Sequence, residues 1–522
     1  MKRTFVLIIL DGWGIGQNDE SNPIFKANLL NFNFLKTHFP YGSLQASGLS
    51  IGLTWNEEGN SEVGHLTLGA GRIVFQHFTK ISKAIKDNSF FQKEVLKKAF
   101  ERAAQSQTPV HLVGLMSDAN VHSSFSHLLA LIKMAKMENC SKVYLHLFTD
   151  GRDSLPQSAP FLLQKLEMAL KEEGVGQLAS LMGRYYGMDR DRHWDRTQKA
   201  YETLVGANNF SIVNDPLEAL KKNYEKNLTD EFLAPTIVKE PHFIADGETV
   251  IFFNFREDRM KQLFEAFVNP QFKEFPIKTF KNLNIVTMTE YEKSFPVAVV
   301  FPREPLKNTL GEVLANAQKI QLRIAETEKY NHVTYFFNGL NEKPFANEYR
   351  VLIPSRVLLH QEEHPEMMAS AITERILTAL NEGSFDFILA NYANPDMIAH
   401  TGNYEATVKA VQVIDQEIEK IFKKVLALNH LLIITSDHGN AERLINLKTG
   451  EIEPQHKNSF VPFHLIANEF QVNQKEKDIV FAERYPLGML SDVAPTILKL
   501  MNISQPPEMT GQNLLPQLLS RY

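Results

Sequence analysis

The groups best suited to chemistry in this 522-residue chain are carboxylates and imidazoles set far apart in the sequence. Asp396 and His400 stand four apart in Asn394-Pro-Asp-Met-Ile-Ala-His-Thr-Gly402. Asp437 and His438 come directly off an apolar run, His456 lies in the polar stretch after it, and Asp11 ends the first apolar run of the chain. Three imidazoles and three carboxylates supply enough nitrogen and oxygen donors to hold two divalent ions. Taken singly, each has an ordinary competing reading, since an aspartate at a strand end often caps the next helix.

A serine and a set of arginines complete the chemistry. Ser61 lies in Gly59-Asn-Ser-Glu-Val-Gly-His65. Flanking glycines allow a tight turn that exposes a hydroxyl and leaves backbone amides free for an anion. A serine hydroxyl is a weak nucleophile until a base or a metal activates it. The Gly-x-Ser-x-Gly pattern is absent, which favours metal activation over a Ser-His-Asp triad. The plain alternative for Ser61 is a helix cap. Arg152 and Asp153 follow an apolar run ending at Asp150, Arg184 stands in Gly183-Arg-Tyr-Tyr-Gly187, Arg190 and Arg192 flank Asp191, and Arg256 and Arg259 follow Phe252-Phe-Asn-Phe255. Guanidinium forks match the oxygens of phosphates and carboxylates, so the group suits a small, doubly anionic substrate. Salt bridges to neighbouring aspartates are the competing reading.

These residues need elements that hold them, and the apolar runs supply them. Phe5–Leu10, His111–Met116, Val143–Phe148, Leu178–Met182, Thr249–Phe255, Asn284–Met288, Val333–Phe337, Phe385–Ala390 and Leu431–Thr435 read as strands. Most are continuously apolar, as in a parallel sheet covered on both faces. Amphipathic stretches at Ser126–Met137, Ala159–Lys171 and Tyr404–Lys424 read as helices between them, and Gln474–Asp478 as a solvated loop. The alternation predicts an α/β protein, with its site at the carboxyl ends of strands. The acidic and histidine motifs sit at 11–65 and 396–456, with the arginine motifs between. That order predicts one domain, 1–73 with 305–522, interrupted by a second at 74–304.

The bulk composition narrows the partners. The chain is 43% hydrophobic and 22% charged, with a net charge of −6, which argues against general attraction to nucleic acid or anionic lipid. Its single cysteine, Cys140, rules out an internal disulfide and fits a reducing compartment. The six-residue run after Met-Lys-Arg-Thr is too short for a secretion signal or a membrane span. A soluble, cytoplasmic protein is expected. Gly12, Gly14 and Gly16 do not form the dinucleotide fingerprint, and no Walker A loop occurs.

In order, the motifs resemble those of the cofactor-independent phosphoglycerate mutases of the alkaline phosphatase superfamily. The likeness runs through Leu7-Ile-Ile-Leu-Asp-Gly-Trp-Gly14, Gly59-Asn-Ser-Glu-Val-Gly-His65, Asp150-Gly-Arg-Asp153, Gly183-Arg-Tyr-Tyr186, Phe252-Phe-Asn-Phe-Arg256, Ala325-Glu-Thr-Glu-Lys-Tyr330, Asn394-Pro-Asp396 and Ser436-Asp-His-Gly-Asn-Ala-Glu442. It implies an alkaline-phosphatase-like α/β domain with a second α/β domain inserted. It implies one ion on Asp11, Ser61, Asp437 and His438, and another on Asp396, His400 and His456. The ions are expected to be manganese, or magnesium in some members. It further implies that His122, Arg152, Asp153, Arg184, Arg190, Arg256, Arg259 and Lys329 bind phosphoglycerate, and that Ser61 and Asp153 are catalytic. The implied reaction interconverts 3- and 2-phosphoglycerate through a phosphoserine, in glycolysis and gluconeogenesis, with a monomer expected. One departure stands out: Ser117-Asp-Ala-Asn-Val-His-Ser123 replaces the family's usual Ser-Asp-Gly-Gly-Val-His-Ser, so the turn before His122 is expected to differ.

Overall fold

Leucine, isoleucine and valine runs form the strands of two sheets, one in each of two compact units. The computed structural model describes residues 3–207, 211–303 and 305–522. The units are Met1–Phe75 with Glu304–Tyr522, and Gln76–Arg303. The joins expected from sequence, after 73 and after 304, compare with divisions after Phe75 and Arg303. Glu304 in the second join, like Met1 and Lys2 of the basic start, lies outside the described residues.

The sheet of the first unit runs, in spatial order, Glu348–Ile353, Gln321–Glu326, Phe387–Tyr392, Phe5–Leu10, Leu431–Thr435, Val461–Ile466, Tyr41–Gln45 and Gly488–Met489. Its first five strands pair in parallel, and Val461–Ile466 is antiparallel to both neighbours. Both faces are covered, so successive residues of Phe5–Leu10 bury on opposite sides. Val6, Ile8 and Leu10 pack with Phe32, Ile414 and Ile418 on one face. Leu7 and Ile9 pack with Leu68, Val333 and Ile497 on the other.

In the second unit the order is Ala298–Phe301, Asn284–Thr289, Thr249–Phe252, Val110–Met116, Val143–Thr149, Gln177–Gly183, Thr236–Val238 and Ser211–Val213. The first six pair in parallel.

Several sequence expectations need correction. Val333–Phe337 is no strand. The residues His332–Phe336 form a helical turn whose Val333 packs beside the Ser61 helix. A buried apolar run of five residues does not by itself separate strand from helix. The strand expected at Thr249–Phe255 ends at Phe252, and that expected at Phe385–Ala390 runs Phe387–Tyr392. Gln474, expected in a solvated loop, is buried and donates to Phe39 O, and a helix begins at Glu476.

Ile8 sits in a central strand with no exposure. Ile8→Ala is expected to cost about 2–5 kcal/mol through lost burial and the cavity left behind, read as a lower urea midpoint with an unchanged slope.

Candidate functional site

Four adjacent parallel strands of the first unit deliver charged residues from their carboxyl ends. Lys329 follows Gln321–Glu326, Asp396 follows Phe387–Tyr392, Asp11 follows Phe5–Leu10, and Asp437 follows Leu431–Thr435. This is where open parallel sheets place their sites. Lys329 Nζ lies 2.6 Å from Asp11 Oδ1, 2.7 Å from Asp396 Oδ2 and 2.8 Å from Ser61 Oγ. Ser61 is not the helix cap. Asn60 takes that role, its side chain accepting from Val63 N, and Ser61 begins the helix Ser61–Ala70. The hydroxyl is thereby left to donate to Asp11 Oδ1 (2.9 Å) and to meet His438 Nε2 (3.0 Å). Gly64 lets this helix press against the Asp437 strand end: a Cβ there would fall 2.5 Å from Asp437 O.

Asp396 and His400 share a face of the short helix Asn394–His400, with His400 Nε2 3.2 Å from Asp396 Oδ1. His456 Nε2 approaches the same oxygen at 3.4 Å, its loop pinned where Lys457 N donates to Gly439 O. His400 Nδ1 lies 2.9 Å from Pro454 O, and His456 Nδ1 2.8 Å from Gly59 O. A carbonyl only accepts, so each Nδ1 carries the hydrogen. Both Nε2 atoms, 2.9 Å apart, then turn lone pairs on each other and on Asp396, a convergence that a proton or a metal ion relieves.

The protonation pattern follows from this crowding. Burial raises Asp11 and Asp396, but the Lys329 ammonium together with His438, and at Asp396 also His400 and His456, outweighs it and holds both below the usual carboxylate range. Burial would likewise lower Lys329, yet Asp11, Asp396 and Asp437 keep it raised and charged. His438 is lifted to about 10, burial being offset by Asp437, Asp11 and Asp396. A cluster so rich in buried carboxylate demands positive charge. Its donors fall into groups within 4.8 Å: Asp396, His400 and His456; Asp11, Asp396 and His438; Asp11, His65 and Asp437. Oxygen and imidazole donors of this number suit divalent ions such as manganese, so the residues fit the metals that the resemblance implies.

The second unit repeats the strand-end design with opposite charge. His122, Arg152, Asp153, Arg184, Arg256 and Arg259 all follow carboxyl ends of four adjacent parallel strands. Arg184 is buried and pairs through Nη1 with Asp150 Oδ1 (2.7 Å) and with Asp153. Arg190 and Arg256 meet on Asp258, at 2.7 and 3.4 Å, and Asp258 also lies 3.5 Å from His122 Nδ1. Arg152 faces Glu231 at 3.5 Å. Arg259 is lowered by burial and by the nearby charges of Arg190, Arg184 and Arg152, so these guanidiniums converge. Arg192 contributes a backbone N–H to Gln262. In the turn before His122, Asn120 adopts a φ of +60°, which asparagine tolerates.

Lys329, expected among the substrate-binding residues, stands in the carboxylate cluster beside Ser61. Sequence reasoning missed His65, Asn391 and Asp258. His65 was quoted within its motif but given no task, and Asp258 is flagged only by standing between Arg256 and Arg259.

The chain is similar to known proteins over nearly its whole length. Residues 81–293 match the family model described as the BPG-independent PGAM N-terminus. The chain is 42% identical over 517 residues to a 2,3-bisphosphoglycerate-independent phosphoglycerate mutase of Francisella tularensis subsp. tularensis, covering 98% of this chain and 99% of that one. It is 44% identical over 519 residues to the protein of that name from Clostridium perfringens, with the same coverage. A crystal structure of Leishmania mexicana phosphoglycerate mutase at low cobalt concentration superposes with a TM-score of 0.63 at 27% identity, covering 98% of each chain.

His122 titrates low, at about 4, through burial and the adjacent charge of Arg184, against the pull of Asp258. In the unfolded chain it would titrate near 6.5, so the unfolded form gains a proton first as pH falls. Its contribution to stability is therefore complete above pH about 6.5 and is lost as pH drops towards 4. An NMR titration of the His122 ring should show a midpoint well below the ordinary value; one near 6.5 would contradict the packing described.

Proposed function

The chain belongs to the 2,3-bisphosphoglycerate-independent phosphoglycerate mutase family, and from that premise we propose that it interconverts 3- and 2-phosphoglycerate through a phosphoserine on Ser61. The observation that carries the proposal is the Ser61 hydroxyl, which meets a carboxylate, an imidazole and an ammonium within 3.0 Å. Asp11, Ser61, Asp437 and His438 would hold one divalent ion, and Asp396, His400 and His456 a second, with manganese suiting this mix of donors and magnesium the alternative. Bound there, the ions would supply Lewis-acid chemistry, acidifying the serine hydroxyl and offsetting phosphoryl charge.

The protein's own residues do the rest. Ser61 Oγ forms a bond to phosphorus as the bond from phosphorus to the C3 oxygen of the substrate breaks. Lys329, held charged by its carboxylates, offsets the negative charge on the transferring oxygens. Arg152, Arg184, Arg190, Arg256 and Arg259 bind the carboxylate and phosphate oxygens of phosphoglycerate. His122, neutral at pH 7, hydrogen-bonds the glycerate without adding charge. The phosphoryl group then passes from Ser61 to the C2 oxygen. The net change moves a proton from the C2 oxygen to the C3 oxygen, and Asp153, held in place by the Arg184 guanidinium, carries it.

The reading extends to a monomer acting in glycolysis and gluconeogenesis in the cytoplasm. Among the described residues no helix is long and apolar enough to cross a membrane.

Ser61→Ala is expected to lower 3- to 2-phosphoglycerate conversion by on the order of 1,000-fold or more, and retained turnover would refute the covalent route. With labelled 3-phosphoglycerate, the wild-type protein should deliver label to 2-phosphoglycerate; release as inorganic phosphate would mark a phosphatase instead. Incubation with a chelator should abolish conversion, and added manganese should restore it.

A further inference from the structure

We propose that His65 is a positioning residue, whose imidazole locks the Asp437 carboxylate to the backbone of Ser61. The proposal rests on the roles given above to Ser61 and Asp437. His65 lies one helical turn after Ser61, with no exposure. Its Nδ1 is 2.8 Å from Ser61 O and 3.1 Å from Asp437 Oδ2. Its Nε2 is 3.0 Å from Asn391 Nδ2, and the same amide nitrogen donates to Asp11 Oδ2 at 2.8 Å.

These partners fix the ring. The Asn391 amide must turn its nitrogen to Asp11, because its oxygen there would face a carboxylate. Nε2 of His65 therefore accepts, and Nδ1 carries the hydrogen. That N–H goes to the carbonyl of Ser61, and Asp437 Oδ2 stands beside the same ring nitrogen at 3.1 Å. The other Asp437 oxygen, Oδ1, is already oriented by the backbone amides of Gly12 (3.2 Å) and His438 (3.1 Å). Oδ2 makes no well-formed hydrogen bond, and faces His65 Nδ1 at 3.1 Å and His438 Nε2 at 3.6 Å. His65 Nδ1 is thus the nearer of the two imidazole nitrogens set against this oxygen, while Asn391 ties the same ring to Asp11. Two polar side chains buried among apolar strands and helix faces are costly unless such partners engage them. Here Asn391 engages Asp11, and His65 engages the Ser61 carbonyl. A histidine that merely filled space would need neither contact.

The test compares two full-length variants of similar size. His65→Asn keeps a side-chain N–H near the place of Nδ1, whereas His65→Gln reaches towards Asn391 and loses the N–H that meets Ser61 O beside Asp437. Manganese binding is measured by calorimetry, with kcat and KM for 3-phosphoglycerate and melting in chelator alongside. His65→Gln is expected to weaken one manganese site by about 10- to 100-fold and to lower kcat with KM nearly unchanged, and His65→Asn to recover most of both. Equal manganese affinity in the two variants, or a loss confined to melting temperature, would overturn the proposal. Wild-type protein that bound no manganese would instead sink the function proposed above. Independently of any variant, the nitrogen-15 histidine spectrum of the wild-type protein should show His65 protonated at Nδ1 and bare at Nε2, and the reverse tautomer would overturn the assignment.

Discussion

Everything in the first unit turns on keeping carboxylates ionised where water is excluded. Asp11 and Asp437 are fully buried and Asp396 nearly so. An isolated carboxylate in such a place costs several kcal/mol or gives up its charge. Here the Lys329 ammonium touches two of them and the serine hydroxyl at once. The geometry that allows this is made by the sheet. Four neighbouring parallel strands end together, each releasing its charged residue at the same edge. Gly12, in a left-handed turn with φ of +70°, lets the Asp11 loop pass close to Asp396. The anionic cluster, the serine and the imidazoles are thus one electrostatic object, stable only with positive charge among them.

The second unit carries the converse arrangement. Its strand ends bring guanidiniums together, and burial with the nearby charges of Arg190, Arg184 and Arg152 lowers Arg259. Asp150, Asp153 and Asp258 neutralise part of that charge and hold the side chains in place. What remains is an unspent capacity to bind anionic oxygens. The first unit calls for cations beside a nucleophile; the second, taken by itself, calls for a small anion, as the phosphoglycerate proposed for it would be.

Much of this was legible in the sequence, for a physical reason. Parallel strands buried on both faces read as unbroken apolar runs, so Phe5–Leu10 and Leu431–Thr435 stand out, and the charged residue after each run marks the site. What escaped lacked that contrast. The strand Gln321–Glu326 hides because Arg323 sits fully buried within it, paired with Gln321 and lying over Phe337 and Phe387. Val333–Phe337 misled in the other direction, being apolar and buried yet helical. Metal-type donors announced themselves by residue type, but His65 and Asn391 act by holding other side chains. Their task becomes visible only when residues hundreds of positions apart are brought within 3 Å.

The central claim is that the buried anionic cluster around Ser61 is built for two cations. Anomalous diffraction from crystals grown with manganese tests it most directly. The account requires two peaks, one touching Asp11, Ser61, Asp437 and His438, the other touching Asp396, His400 and His456. Well-diffracting crystals with no peak at these side chains, or with Ser61 Oγ remote from every ion, would contradict it.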